Sequence, residues 1–400
     1  MKHIRPYVVV ALAVGSLAAC APDTSTNPTT RTVRAGESIQ DAVDAANPGD
    51  VIVVEPGVYH QDVLIETEGL VLTGTDQNTV ILEGDNKLGS GVMVTADNVT
   101  VQNFTIQNFI ANGVYFTGSS AADDIVPLSG FVISNITALD NGLYGLYSFF
   151  AQNGVIKDSY AAGHMDSGVY VGQCKPCAVA VTNVVAEYNA IGYEGTNGSE
   201  VYITNSVFSN NRIGITPNSQ TREKLAPQGT TYIYGNTIAN NNSVIAPEQA
   251  SGGFGIGIAI GGGVANDVYG NNVTGNEFVG ILVTSLDGFR PENNIIEGNR
   301  VLGNGTDLAF FTDSDETTTD GNCFLGNETS STSPADLQTV TVCATNKVIT
   351  AKRLLYPESP PQAGERPAPT PPTASAPIPT PGPVVAMVAP PKPERSKVTE

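Results

Sequence analysis

Tryptophan is absent from this 400-residue chain, histidine occurs three times, and 19 lysines and arginines face 39 aspartates and glutamates. His3, His60 and His164 are too few and too scattered for a histidine-built metal centre, so no metal and no cofactor are expected. Residues 32–350 carry 34 acidic and 10 basic residues, which argues against a nucleic-acid partner and against a broadly anion-binding surface. The chain has no P-loop, dinucleotide fingerprint, GxSxG or HExxH, so nucleotide and zincin chemistry have no support. Helical periodicity is missing beyond a short stretch near residue 40, and no apolar run after the first 20 residues is long enough to span a bilayer.

What the chain has in plenty is asparagine at regular intervals. The stretch 199–216, SEVYITNSVFSNNRIGIT, holds two short alternations, Val201/Ile203 and Ile213/Ile215, around an Asn-rich corner. Alternation of period two reads as strand with one buried face, and Asn or Gly as a turn that tolerates φ > 0. The pattern recurs with anchors at Asn103, Asn135, Asp158, Asn183, Asn205, Asn236, Asn271, Asn299 and Asn322. Their spacings are 32, 23, 25, 22, 31, 35, 28 and 23, a floor of 22 to 25 residues plus insertions. A second turn residue follows most anchors by five positions, as at Asn108, Asp140, Asn210, Asn241, Asn276 and Asn304. Strands at this period mean one coil of a parallel β-helix, each about 4.8 Å above the last. These repeats resemble the right-handed β-helix of the pectate-lyase-like superfamily over roughly residues 32–350. The resemblance implies an all-β fold, a single-stranded right-handed parallel β-helix solenoid with an N-terminal capping helix. It implies no one activity, because that fold hosts lyases, hydrolases, epimerases, esterases and binding proteins.

The chain divides into four segments. Residues 1–20, MKHIRPYVVVALAVGSLAAC, form a secretory leader ending Leu17-Ala18-Ala19-Cys20, which resembles a bacterial lipobox. The resemblance implies acylation of Cys20, an exported protein held at a membrane surface through its lipid, and an outer-membrane address if the source has two membranes. Residues 21–31 are a Thr/Pro tether, and residues 32–350 the β-helix, read as a monomer. Ser38 is placed to cap a helix with Ile39, Ala42, Val43 and Ala46 on one face, covering the open end of the first coil. Residues 351–400 read as a Pro-rich disordered tail, since 357–400 hold 14 of the 26 prolines. With Cys20 set aside, four cysteines remain in an exported chain, which predicts the disulfides Cys174–Cys177 and Cys323–Cys343.

Candidate chemistry lies on the strand after each corner, aligned on Gly113, Gly145, Gly168, Gly192, Gly214 and Gly280. The next residue points in: Val114, Leu146, Val169, Tyr193, Ile215, Ile281. The one after points out, and Tyr115, Tyr147, Tyr170 and Glu194 form an exposed stripe suited to sugar rings. Insertions at 118–129, 172–177 and 217–230 leave from one corner and wall the stripe. Lys175, Arg222 and Lys224 in them make a basic lip. His164 and Asp166 are the best titratable pair, so His164, Asp166, Tyr170 and Lys175 are the candidate catalytic set, with Tyr115, Tyr147, Tyr170, Glu194, Arg222 and Lys224 for substrate. The paired-Asp and Gly-His-Gly pattern of polygalacturonases and the Asp-Pro-His-Asp run of alginate epimerases are not found. The reading is therefore a lipid-anchored envelope protein that binds polysaccharide through an outer strand face. A polysaccharide lyase or uronate C5-epimerase, and a structural spacer without ligand, stay open beside it.

One expectation is tested without any structure. Wild-type protein expressed with its leader should partition into detergent, and Cys20→Ser should stay aqueous or unprocessed. Wild type found only in the aqueous phase removes the lipid anchor.

Overall fold

The computed structural model describes residues 27–121, 124–249, 252–312, 316–318, 321–340, 349–353, 355–371 and 374–388. The leader with Cys20, the start of the tether and Cys343 lie outside the described residues. The described chain winds as a parallel β-solenoid with two short helices, Ile39–Asp44 and Leu337–Val340. Among the described residues no helix is long and apolar enough to cross a membrane.

Each coil contributes to two sheets. In one, Val99–Gln107 and Leu128–Leu139 bend across two faces and join them. The other face is a stack of short parallel strands running from Val63–Ile65 through Leu146–Phe149 and Ile213–Asn218 to Thr306–Thr312. The inward column on this second sheet is the expected one. Val114, Leu146, Val169, Tyr193, Ile215, Ile258, Ile281 and Leu308 follow one another in register, and each is 0% exposed. Val181, Ile203, Ile233, Val268, Ile296 and Phe324 form the facing column. Each such side chain contributes about 1.5–3 kcal/mol by leaving water, so the solenoid is held by one continuous apolar rod.

Rows of side-chain amides line that rod at its corners. Asn241 shows the unit. Its Oδ1 accepts from the backbone N–H and the Nδ2 of Asn211, at 3.2 and 3.0 Å. Its Nδ2 donates to Phe208 O and to Asn276 Oδ1, both at 3.1 Å. All four hydrogen-bonding positions of a buried amide are thereby filled. One row runs Asn141, His164, Asn189, Asn211, Asn241, Asn276, Asn304 and ends on Asp307. A second runs Asn236, Asn271, Asn299, Asn327 and ends on Gln338. A third runs Gln228, Asn266, Asn294, Asn322.

The anchors read from the sequence mix two roles. Asn103, Asn135, Asp158, Asn183 and Asn205 have φ between 49° and 65° and turn the chain. Asn236, Asn271 and Asn299 are ladder residues one position later, the turn there being made by Gly235, Gly270 and Gly298. Asn322 belongs to the third row. The strand glycines have a related cause: a Cβ on Gly192 would lie 2.9 Å from Asn211 Nδ2, so the ladder amide fills that space.

The ends are closed as the physics of an exposed strand edge requires. Ser38 Oγ accepts from Asp41 N at 3.0 Å, and Ile39 and Val43 pack on the first coil. Gln40 reaches back to accept from Leu64 N at 2.8 Å. Cys174 and Cys177 are joined. Cys323 is disulfide-bonded as well, while its expected partner Cys343 lies outside the described residues. The tail read as disordered is, over its described residues, extended chain laid along the solenoid. Arg366 pairs with Asp140 at 2.7 Å, Ala376 N and O both bond the Asn103 amide, and Met387 N reaches Asn98 Oδ1.

His164 tests the ladder. Its Nδ1 donates to Asn189 Oδ1 at 2.7 Å and its Nε2 accepts from Asn141 Nδ2 at 3.2 Å, so the row needs the neutral ring. Burial lowers its pKa from 6.5 to about 4. Between those values the unfolded chain binds a proton that the folded ring refuses, so stability falls as pH drops through the window. The loss through this residue is about 3 kcal/mol. Replacement His164→Asn keeps the row without titrating, and urea unfolding across pH should lose that component. An unchanged acid limb in the variant refutes the role.

Candidate functional site

On the outer face of the second sheet, Tyr115, Tyr147, Tyr170, Glu194 and Thr216 fall on successive coils in register. The side of the strand is as expected, but the stripe is not exposed. Tyr170 is 2% and Glu194 6% exposed, and Tyr115 and Tyr147 are half-buried, because loops fold over the face. Further along, Ala259, Leu282 and Ala309 pack with Ile191, Ile213, Ile256 and Val279 as a second apolar cluster outside the rod. At the other end the rings stack. Tyr147 lies between Tyr115 and Tyr144, with centroids 4.6 and 4.2 Å away, and Tyr170 meets it edge-on at 5.0 Å.

Two loops make the walls. One is the 217–230 insertion, pinned by buried Asn197. Its Oδ1 accepts from Gln220 N at 2.9 Å, and its Nδ2 donates to the carbonyls of Gln220, Glu223 and Lys224. The other lies between the strands Thr237–Ala239 and Ile256–Gly261 and brings Glu248 and Gln249 to the opposite rim. Between them lie two adjoining cavities, of about 540 and 590 Å³, that share Glu194, Gln220 and Gln249. The first holds Tyr144, Asp166, Tyr170 and Glu223; the second has an apolar floor of Ile191, Ile213, Ile256 and Ala259. Together they form one groove, half aromatic and acidic, half apolar.

The acidic half is built to hold protons. Burial pushes the Glu194 carboxyl well up, and the neighbouring Asp166 charge adds to it. Burial also raises Asp166, while hydrogen bonds from Glu194 and Tyr144 oppose that rise. Glu194 therefore keeps its proton and donates it to Asp166, while Asn218 Nδ2 donates to Glu194 Oε1 at 3.0 Å. Glu223 is raised too, chiefly by burial, and accepts from Gln173 Nε2 at 2.6 Å. The tyrosine hydroxyls of Tyr144, Tyr147 and Tyr170 are all pushed up by burial and stay neutral donors. The result is a floor of acid, carboxylate and phenol groups that is able to pass a proton and to hydrogen-bond hydroxyls.

The expected catalytic set is not brought together. His164 sits inside the rod, so the His164–Asp166 pair is two residues facing opposite sides of one turn. Lys175 is exposed and its ammonium bonds Pro227 O, away from both cavities. Arg222 lines the apolar half beside Asp287, and Lys224 lines neither. No basic lip crowns the acidic half. Tyr115, Tyr147, Tyr170, Asp166 and Glu194 do share the face. The sequence reading missed Tyr144, Glu223, Gln249 and the loop anchor Asn197. Glu223 had a signal in lying within the 217–230 insertion. Asn197, at φ 50°, looks like any other turn asparagine.

Residues 43–253 match the model of the family described as NosD, periplasmic copper-binding protein. Among solved structures, the A-module of the Azotobacter vinelandii mannuronan C-5 epimerase AlgE4 is similar, at 16% identity and a TM-score of 0.54. That likeness covers 81% of this chain and 95% of that one. The AlgE6 A-module from the same organism gives 14% identity, 73% and 89% coverage and a TM-score of 0.46. The pectate lyase Pel9A gives 16%, 77% of each chain and 0.43. No curated protein matches the chain.

The protonated floor has a thermodynamic signature. A carboxyl whose folded pKa exceeds its unfolded value of 4.5 opposes folding once pH rises above 4.5, because the unfolded chain releases the proton first. Glu194→Gln keeps the hydrogen bonds without the ionisation. It should raise the melting temperature at pH 7 by about 2–4 °C and leave it unchanged well below pH 4.5. A gain that is the same at every pH shows that Glu194 is not the proton holder.

Proposed function

The chain belongs to the NosD family of periplasmic copper-binding proteins, and on that premise we propose that it works outside the cytoplasm as a polysaccharide-binding β-helix. Acylated Cys20 tethers it to a membrane, and the glycan lies in the groove over Tyr115, Tyr147 and Tyr144. The observation that carries this reading is the stack of Tyr115, Tyr147 and Tyr144, whose last ring lines a cavity of carboxyl, amide and phenol groups. Flat apolar faces beside fixed donors and acceptors are what a sugar ring needs. Four carboxyls, those of Asp166, Glu194, Glu223 and Glu248, line the aromatic half with no basic side chain among its lining residues. A neutral glycan fits that half better than a polyuronate.

Turnover is a second reading, supported by the Asp166–Glu194 pair, in which one partner is charged with a proton and the other takes one. Elimination or C5-epimerisation of a uronate would further need a cation over the sugar carboxylate. Lys175 is held on Pro227, and Arg222 lies in the other half of the groove. Acid–base work on a neutral glycan suits the pair better.

Copper does not fit the described residues. It favours imidazole and sulfur ligands. Both ring nitrogens of His164 are used by Asn141 and Asn189, Nδ1 of His60 is in hydrogen-bond contact with Asp85, and Cys174 is joined to Cys177. Among the described residues no group of three His, Cys, Asp or Glu side chains is placed to hold a metal.

A glycan array followed by titration of the hits tests the reading. Neutral polysaccharides should outrank polyuronates. Tyr144→Ala and Tyr115→Ala should each weaken the best hit about tenfold or more, and Lys175→Ala should leave it unchanged. Unaltered affinity in both tyrosine variants would make the ligand-free spacer the better account.

A further inference from the structure

The Pro-rich segment after the last coil does more than lie along the body. Tyr356, Pro357 and Ser359 line the apolar half of the groove, facing Ile213, Ile256 and Ala259. The Tyr356 ring lies 6.4 Å from Phe278, which flanks the apolar floor. An aromatic ring thus lines the same cavity as Glu194, Thr216 and Ala259, outward residues of the sheet that carries Tyr115, Tyr147 and Tyr170. It stands where the next residues of a long bound chain would have to pass.

The groove segment is held from outside the groove. Arg212, 1% exposed and lying over the Phe254 ring, donates through Nη1 to Ser359 Oγ at 2.7 Å and to Pro360 O. Ala363 N reaches Val244 O at 2.8 Å and Gln362 Nε2 reaches Ile245 O at 3.0 Å. Arg366 is latched on Asp140, in hydrogen-bond reach of the Tyr160 hydroxyl that donates to Glu187. Beyond it Asn135 Nδ2 donates to Ala374 O at 2.6 Å, and the Asn103 amide bonds Ala376 N and O at 2.7 and 2.9 Å. These latches are polar and directional, whereas Tyr356 itself remains 48% exposed. A proline-rich strand is already extended when free, so seating it costs little entropy and lifting one end does not require the rest to melt. That combination suits a cover that is displaced from the groove end while it stays attached along the body.

We propose that residues 355–360 are a built-in competitor for the apolar half of the groove, displaced by a glycan long enough to run from the tyrosine stack past Gln249. The proposal rests on the reading of the groove as a neutral-glycan site and adds chain-length selection to it. A short sugar on Tyr144 and Tyr147 leaves the strap seated. A long one has to exchange Tyr356 for its own rings, and its apparent affinity is reduced by the fraction of time the strap is closed.

The full-length protein tests this with two readouts. Glu-C cleaves after Glu358, inside the groove segment, so its rate at that bond reports how often the strap lifts. The probes are cellohexaose, maltohexaose and N-acetylchitohexaose, with their disaccharides as short controls. Arg366→Ala removes a latch that touches neither cavity, and Tyr356→Ala removes the plug. At least one hexasaccharide should bind and speed cleavage about threefold or more, its disaccharide should not, and both variants should bind that hexasaccharide about threefold or more tightly than wild type. Hexasaccharide binding with unchanged cleavage, or faster cleavage in Arg366→Ala with unchanged hexasaccharide affinity, overturns the competitor while leaving the groove as the glycan site. Failure of every hexasaccharide to bind wild type and both variants overturns the neutral-glycan reading and the competitor with it.

Discussion

The constraint on which this molecule depends is the satisfaction of polar groups at the corners of its coils. A solenoid has to turn its backbone within each coil, and each turn leaves N–H and C=O groups facing an apolar interior where water is absent. Asparagine resolves this because its amide is small and carries both donors and acceptors. In the Asn211–Asn241–Asn276 row every amide bonds the coil on either side of it. The rest follows from that row. Strand glycines are needed where the amide fills the space of a Cβ, and residues with positive φ are needed one step before it. An imidazole is admitted at His164 because its neutral form also has one donor and one acceptor to offer.

An interior so fully used leaves no room for a site, so whatever the protein recognises has to lie outside the rod. The second sheet supplies a flat platform with fixed rungs, and corners tolerate insertions because each leaves the coil geometry intact. The 217–230 loop on one edge and residues 240–249 and 252–255 on the other turn that platform into a groove. Rigidity comes from the sheet and the chemistry from the loops. That division explains why Asn197 matters: it converts an insertion into a wall by bonding three of its carbonyls.

Much of the fold was legible because a solenoid writes its period into the sequence. The inward column Val114 to Ile281 and the cap of Ile39 and Val43 are visible as alternation and as an apolar helix face. The ladder register was not. Turn and ladder residues are adjacent and both are often asparagine, as at Asn210 and Asn211, so spacing alone does not separate φ near 56° from a buried amide. The same ambiguity misled the reading of His164. Two residues from Asp166 in sequence, it lies on the other side of a turn, and only the third dimension shows its ladder partners. The groove's exposure was misjudged for a different reason. Strand alternation gives the side on which Tyr170 and Glu194 emerge, but not the loops from distant sequence that cover them. The contacts of the tail were not legible either. Proline and low hydrophobicity show that the segment has no core of its own, yet the amides of Asn98, Asn103 and Asn135 bond its backbone as a neighbouring strand would.

The extent of the family match divides the groove in a way that bears on its evolution of use. Residues 43–253 include the tyrosine stack, Asp166, Glu194, Glu223 and both rims. The rest of the apolar half, Ile256, Ala259 and Leu286 with the covering Tyr356, Pro357 and Ser359, lies beyond residue 253. The acidic, aromatic half thus lies wholly within the matched coils, and the apolar half is shared between them, through Ile191 and Ile213, and the coil and strap that follow. The boundary falls at Gln220 and Gln249, two amides shared by both cavities and able to donate or accept. Across that boundary the lining changes from carboxyl and phenol groups to aliphatic side chains. Arg222 and Asp287 at its far rim are drawn together by their opposite charges, and Thr221 steadies Asp287 through its N–H and hydroxyl. Such a sequence of surfaces is able to discriminate by charge, through the four carboxyls of its acidic half, and by chain length along the groove.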